Sequence, residues 1–177
     1  MKKVIVKCRV KNRERLENKL AAIDLEFSPI YWLHDRIYVP RGYRPRNNFP
    51  RLIMRTEMHA VDEPPRYSLI LKRHIEDSGT DIVEATTIVD YAGTVNIIHE
   101  LGFKQSGEIS RRRTELKLSD RVFMYLDDLD SHDGACFAKL ESILDSSESS
   151  IAIKTSLVHT FKTLDELEII EQPYIEI

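Results

Sequence analysis

The chain has 177 residues and a mass of 20.6 kDa, with 42% hydrophobic and 31% charged residues. This balance excludes wholesale disorder and predicts one folded domain spanning residues 1–177. Residues 1–114 hold 21 Lys and Arg against 15 Asp and Glu, whereas residues 115–177 hold 5 against 14, so the net charge of −3 conceals a basic part and an acidic part. Such asymmetry is typical of a polyanion-binding site or of an acidic tail.

Several classes of protein are not expected from the sequence. No apolar run approaches the roughly 20 residues that cross a bilayer, and the first apolar run breaks too early for a secretory signal. Cys8 and Cys136 are far apart and show no metal-ligand spacing, so neither a disulfide scaffold nor a zinc site is predicted. We therefore expect a soluble cytoplasmic protein that does not bind membranes.

Strands dominate the predicted elements. The first strand alternates strictly, and Asn12 is placed to cap the helix that follows it and runs to about residue 23. Further helices are predicted over residues 93–101 and 151–164. The fold class predicted is α+β, an eight-stranded antiparallel β-barrel with a few peripheral helices, because closure of the sheet removes exposed edges. The predicted strands cover residues 2–10, 30–39, 52–58, 67–74, 82–89, 108–116, 121–127 and 136–144.

Basic side chains recur on one face of several predicted strands, opposite an apolar face. Residues i and i+2 of a strand point the same way, so the basic faces either meet solvent or converge inside the barrel. Convergence would create a cage for a triphosphate or polyphosphate, held by charge-assisted hydrogen bonds. The candidate phosphate-binding residues are Lys7, Arg9, Arg55, Lys72, Arg111 and Arg113.

Carboxylates on the same strands are candidate ligands for a divalent cation. Mg²⁺ and Mn²⁺ prefer carboxylate oxygens, so either ion is the cofactor to expect if the site is catalytic. Glu57 and Glu115 are further acids of this kind. The candidate metal ligands are Glu84, Asp127 and Glu141.

The order of these segments resembles the CYTH superfamily, the triphosphate-tunnel proteins that include class IV adenylate cyclases, thiamine triphosphatases and inorganic triphosphatases. The resemblance spans nearly the whole chain. It rests on VIVKCRV at 4–10, LIMR at 52–55, LILK at 69–72, GF at 102–103, RRR at 111–113, FMYLD at 123–127 and FAKLE at 137–141. It implies a triphosphate-binding tunnel, with Glu84 matching a glutamate of the family and with metal-dependent cyclase or triphosphatase activity.

This chain departs from the family pattern where the pattern supplies carboxylates. Lys3 and Ile5 stand in place of two glutamates, Lys139 stands in place of a third, and Ile53 replaces one arginine. Three lost carboxylates and two gained lysines change the local formal charge by about five units. A divalent cation is therefore expected to bind much less well than in the family, and catalysis that depends on it becomes doubtful.

Three hypotheses follow from the sequence. The first is an enzyme that acts on a nucleoside or other organic triphosphate. The second is a binding module that retains a polyanion without turning it over. The third is nucleic-acid binding through the basic segment 36–55, whose arginines alternate with aromatic residues, although the net negative charge and the missing RNA motif disfavour it. The oligomeric state stays open, a homodimer included. The arginines of that segment are Arg36, Arg41, Arg44, Arg46, Arg51 and Arg55.

Overall fold

The computed structural model describes residues 1–44, 49–75, 80–130, 135–145, 148–164 and 167–170. Within these ranges the predicted helices and strands are confirmed, with small shifts of their ends. The strand predicted over 108–116 begins earlier, and a ninth strand follows the last helix. The strands are β1 (Lys2–Val10), β2 (Tyr31–Pro40), β3 (Arg51–Met58), β4 (Arg66–Ile75), β5 (Thr80–Thr87), β6 (Phe103–Lys117), β7 (Val122–Leu129), β8 (Cys136–Ile143) and β9 (Leu167–Ile170). The helices are α1 (Arg13–Ala21), α2 (Tyr91–Glu100) and α3 (Ser150–Thr163).

Eight of the strands form a closed antiparallel ring. The order is β5-β4-β3-β2-β6-β7-β8-β1, and β1 also pairs with β5 through Lys2 opposite Ile82 and Lys3 opposite Asp81. The later residues of β1, from Lys7 to Val10, pair on the same edge with β9. This ring confirms the predicted eight-stranded antiparallel fold, and β9 adds a short strand beside β1.

The hydrophobic core lies outside the ring, between the strands and the helices. One cluster joins the outer faces of β1, β6, β7 and β8 to α1 and α3, with Met124 and Leu140 fully buried. A second, smaller cluster joins β2, β3 and β4 to α2 through residues such as Met54 and Ile98. Because the apolar side chains of each strand point outward to the helices, the alternate side chains point into the ring.

The helices are short and begin at capping residues. As predicted, Asn12 caps α1, and its side chain accepts a hydrogen bond from the backbone amide of Arg15 at 2.9 Å. Asp90 and Ser149 cap α2 and α3 in the same way. No helix in the part of the chain described here is long and apolar enough to cross a membrane.

Candidate functional site

The ring encloses a cavity of about 340 Å³ that is lined by side chains from all eight strands. Among the residues the structure describes, eight cations and four acids line it, so the wall carries a surplus of positive charge. The lining cations are Lys3, Lys7, Arg51, Arg55, Lys72, Arg111, Arg113 and Lys139. The lining acids are Asp35, Glu57, Glu115 and Glu141.

Alternation along the strands explains why these cations converge. Arg111 and Arg113 point into the cavity and are buried, whereas Arg112 between them lies outside with 49% of its side chain exposed. On the neighbouring pair of strands, Arg51 of β3 lies directly opposite Lys72 of β4. Since directly opposed residues share a face, their side chains meet inside the ring.

Asp35 of β2 is held by two arginines. Nε and Nη2 of Arg55 donate to its two carboxylate oxygens at 2.7 and 2.8 Å, and Nη2 of Arg111 donates at 2.6 Å. Burial alone would raise the pKa of Asp35, but the two guanidinium groups lower it well below its usual range. Asp35 therefore stays ionised and fixes both arginines in the wall.

Asp127 of β7 is completely buried behind Arg113 of β6. Nε and Nη2 of Arg113 donate to its two oxygens at 2.6 and 2.7 Å, a bidentate geometry. Arg113 lowers the pKa of Asp127 although burial opposes it. Nε of Arg111 lies 3.7 Å from the same carboxylate and makes no hydrogen bond, which leaves one buried donor at the cavity wall unsatisfied.

Glu141 of β8 lies between two lysines. Nζ of Lys3 forms an ion pair with one of its oxygens, and Nζ of Lys139 donates to the other at 3.0 Å. The Lys139 ammonium also lies 4.2 Å from the centre of the Tyr125 ring, a cation–π distance. Burial alone would raise the pKa of Glu141, but the two lysines lower it to about 2, so the carboxylate is ionised.

A basic cluster of Lys7, Arg51 and Lys72 occupies another part of the wall. Lys72 forms an ion pair with Asp81 at 3.0 Å, whereas no carboxylate of the described residues forms an ion pair with Arg51. Burial lowers the pKa of Lys7 to about 7, and repulsion from Lys72 and Arg51 acts in the same direction. Positive charge is therefore concentrated here beyond what the neighbouring acid balances.

Five of the six candidate phosphate-binding residues line the cavity, and Arg9 does not. The lining part of β1 ends at Lys7, and Arg9 is exposed in a surface depression beside Lys11 and Arg13. Arg9 lies on the same face of β1 as Lys7, and it lies in the part of β1 that pairs with β9. The residues that do line the cavity are Lys7, Arg55, Lys72, Arg111 and Arg113.

The three candidate metal ligands do not come together. Glu84 lies opposite Leu71 on the outer face of the ring, where its side chain is 66% exposed and pairs with the N-terminal amino group. Asp127 and Glu141 are separately bound by Arg113 and by two lysines. Within the described ranges, no group of three His, Cys, Asp or Glu side chains is placed to hold a metal ion. This donor set does not fit Mg²⁺ or Mn²⁺, because the cations of the chain already occupy the carboxylate oxygens.

Several residues that line the cavity are not among the candidate site residues that the sequence predicts. Lys3 and Lys139 stand out in the sequence as departures from the family pattern, and Asp35 and Tyr125 carry no predicted role. Lys3, Ile5 and Lys7 lie on one face of β1, as its alternation predicts, and all three line the cavity. Arg51 shares its face with Arg55, as the alternation along β3 predicts, and both line the cavity.

The described arginines of the basic segment 36–55 lie partly in the cavity and partly on the exposed surface. Arg51 and Arg55 point into the cavity, whereas Arg41 and Arg44 are exposed, and Arg46 lies outside the described residues. The arginines of this segment therefore do not all face one surface. Nucleic-acid binding through it stays a hypothesis.

Solved structures show the same fold. A candidate adenylate cyclase from Vibrio parahaemolyticus aligns with a TM-score of 0.79 at 20% identity, covering 98% of this chain and 95% of the other. A chain of the Schizosaccharomyces pombe Mediator head module aligns with a TM-score of 0.68 at 15% identity, covering 95% and 98%. A candidate adenylyl cyclase from Hippeastrum with a dominant triphosphatase activity aligns with a TM-score of 0.61 at 13% identity, covering 99% and 94%.

Comparisons of sequence add no match, since no protein-family model and no curated protein matches the chain. The structural likenesses are at low identity and extend over nearly the full length of each chain. They show the fold, and this fold agrees with the antiparallel ring that the order of the sequence segments predicted.

Proposed function

We propose that this protein binds a small molecule containing a triphosphate, or a short polyphosphate, inside the ring. The observation that carries the proposal is the charge of the cavity wall, where eight cations face four acids among the described residues. Like charges confined in a poorly hydrated space repel one another, and a polyanion relieves that repulsion. The cavity volume of about 340 Å³ falls within the roughly 300–1,000 Å³ typical of small-molecule sites.

The basic cluster Lys7, Arg51 and Lys72 is the part of the wall best suited to take phosphate groups. Lys72 pairs with Asp81, whereas Arg51 forms no ion pair with a carboxylate of the described residues and carries a planar guanidinium that suits bidentate contact with phosphate oxygens. An anion bound here would also favour the charged form of Lys7, whose pKa is lowered to about 7 by burial and by Lys72.

The named structural neighbours support a triphosphate as the ligand. The Vibrio parahaemolyticus protein is a candidate adenylate cyclase, and the Hippeastrum protein has a dominant triphosphatase activity. Binding of a triphosphate does not require its turnover. For metal-dependent turnover at Asp127 and Glu141, Mg²⁺ or Mn²⁺ would have to displace the cations that these carboxylates already bind. We therefore propose binding as the function, with cyclase or triphosphatase activity as an outcome that the assay must be able to detect.

The test is calorimetric titration of the purified protein with tripolyphosphate, ATP and thiamine triphosphate, together with an assay for released phosphate and pyrophosphate. Binding of at least one triphosphate supports the proposal. Arg51→Gln removes a lining cation without breaking an ion pair and should weaken binding by about tenfold, or roughly 1.4 kcal/mol. Arg73→Gln, on the neighbouring strand at an exposed position, is the matched control and should change nothing.

Absence of binding by all three compounds would overturn the proposal. Equal affinity of Arg51→Gln and Arg73→Gln would place the ligand somewhere other than this cavity. Release of phosphate or pyrophosphate that requires Mg²⁺ or Mn²⁺ would instead identify the chain as an enzyme.

A further inference from the structure

The carboxylates of the cavity wall that form ion pairs with Lys or Arg are neutralised by the chain itself. Asp35 accepts three hydrogen bonds from two arginines, and Glu141 accepts one on each oxygen from Lys3 and Lys139. Asp127, just behind the wall, accepts a bidentate pair from Arg113. A divalent cation entering the cavity would have to compete with fixed charges already in place at these oxygens.

Lys3 and Lys139 each have N–H donors that Glu141 does not use. Each ammonium carries three N–H donors and no acceptor, and Glu141 takes one donor from each. The remaining donors lie at a wall of the cavity, since both lysines and Glu141 line it. When both lysines are protonated, the two ammonium groups and Glu141 together carry a net formal charge of +1. Burial lowers the pKa of Lys139 to about 7, and Glu141 opposes this shift.

Position in the sheet makes this arrangement rigid. Lys139 lies opposite Tyr125 on one side and opposite Lys7 on the other, and its ammonium rests against the Tyr125 ring at 4.2 Å. The side chains of Lys3, Lys139 and Glu141 are 15%, 15% and 6% exposed, so bulk water screens them weakly.

We infer that the triphosphate binds as the free polyanion, without a divalent cation, and that the ammonium groups of Lys3 and Lys139 meet phosphate oxygens in place of a metal ion. This inference rests on the proposed function and specifies the form of the ligand. It follows that Mg²⁺ opposes binding, because Mg²⁺ in solution withdraws the free triphosphate that the cavity takes.

The test is titration of the protein with tripolyphosphate, once in EDTA and once in excess Mg²⁺, followed by calorimetry. We expect clear binding in EDTA and an apparent affinity that is about tenfold weaker in excess Mg²⁺. Binding that occurs only with Mg²⁺ or is stronger with it would overturn the inference while leaving the proposed function intact. Absence of binding in both buffers would overturn the proposed function and the inference with it.

A substitution then tests the two lysines. Lys139→Glu replaces an ammonium beside Glu141 with a second carboxylate and should reverse the effect of Mg²⁺, so that binding becomes stronger in Mg²⁺ than in EDTA. Lys104→Glu makes the same charge change at an exposed position of β6 and should leave the Mg²⁺ effect as it is in the unaltered protein. If the Lys139→Glu protein folds and its ratio of affinities in EDTA and in Mg²⁺ equals that of the unaltered protein, the role of Lys139 is contradicted. If the variant does not fold, the comparison of the two buffers on the unaltered protein decides the inference.

Discussion

The ion pair between Arg113 and Asp127 offers the sharpest test of how the charged wall is stabilised. The two side chains are 6% and 0% exposed and make two hydrogen bonds, at 2.6 and 2.7 Å. Arg113→Met keeps an unbranched side chain but removes the guanidinium, and it leaves Asp127 buried without its main partner. Breaking a buried pair in this way costs about 3–5 kcal/mol, and we expect the lower end because Nε of Arg111 lies 3.7 Å from the same carboxylate. Urea unfolding at neutral pH measures the loss.

Two further variants make the result interpretable. Arg112→Met alters the adjacent residue, which is half exposed and 3.9 Å from Asp128, and should cost at most about 1 kcal/mol. Arg113→Met combined with Asp127→Leu removes both charges and should recover much of the stability that Arg113→Met loses. If Arg113→Met unfolds at the same urea concentration as Arg112→Met, the pair does not stabilise the wall and the reasoning fails.

Three other predictions use the same protein. Tripolyphosphate affinity should fall as the pH rises through about 7, because burial lowers the pKa of both Lys7 and Lys139 to about 7 and the neutral amines attract phosphate less. Lys7→Arg should remove part of this pH dependence in titrations, since arginine stays charged. Burial raises the pKa of Cys8 and of Cys136 to about 12, so iodoacetamide should label neither thiol at neutral pH unless urea unfolds the chain, as mass spectrometry would show. Asn12→Ala should lower the unfolding free energy by about 1 kcal/mol, since the α1 cap is lost.

The inner face of the ring was predictable where a strand alternates without interruption. Arg111, Arg112 and Arg113 are identical residues in a row, yet two are buried at the cavity and the middle one is exposed, as the two-residue period requires. The outer apolar residues of each strand fixed the choice of face, because they must pack against helices. The same rule brought Lys7 and Lys72 to the cavity.

Neither the extent of the cavity along each strand nor the pairing register was predictable in this way. Alternation places Arg9 on the same face as Lys7, but it carries no information on where the cavity ends along β1. For β5, the register sets Val83 opposite Lys72 and therefore inside, which turns Glu84 outward. A shift of one residue exchanges the two faces, so a match of residue types in a linear motif could not decide which of the two points inward.

The charge asymmetry of the sequence also acquires a structural meaning. Seven of the eight lining cations lie in the basic part, residues 1–114, and Lys139 alone comes from the acidic part, counted over the described residues. The antiparallel pairing of β6 with β7 and of β1 with β8 brings Asp127 to Arg113 and Glu141 to Lys3. The acidic part thus supplies counter-ions to the basic part across strand boundaries. Because Asp127 and Glu141 are paired with cations of the wall, they do not offset all eight lining cations, and the remaining positive charge favours an anion as the ligand.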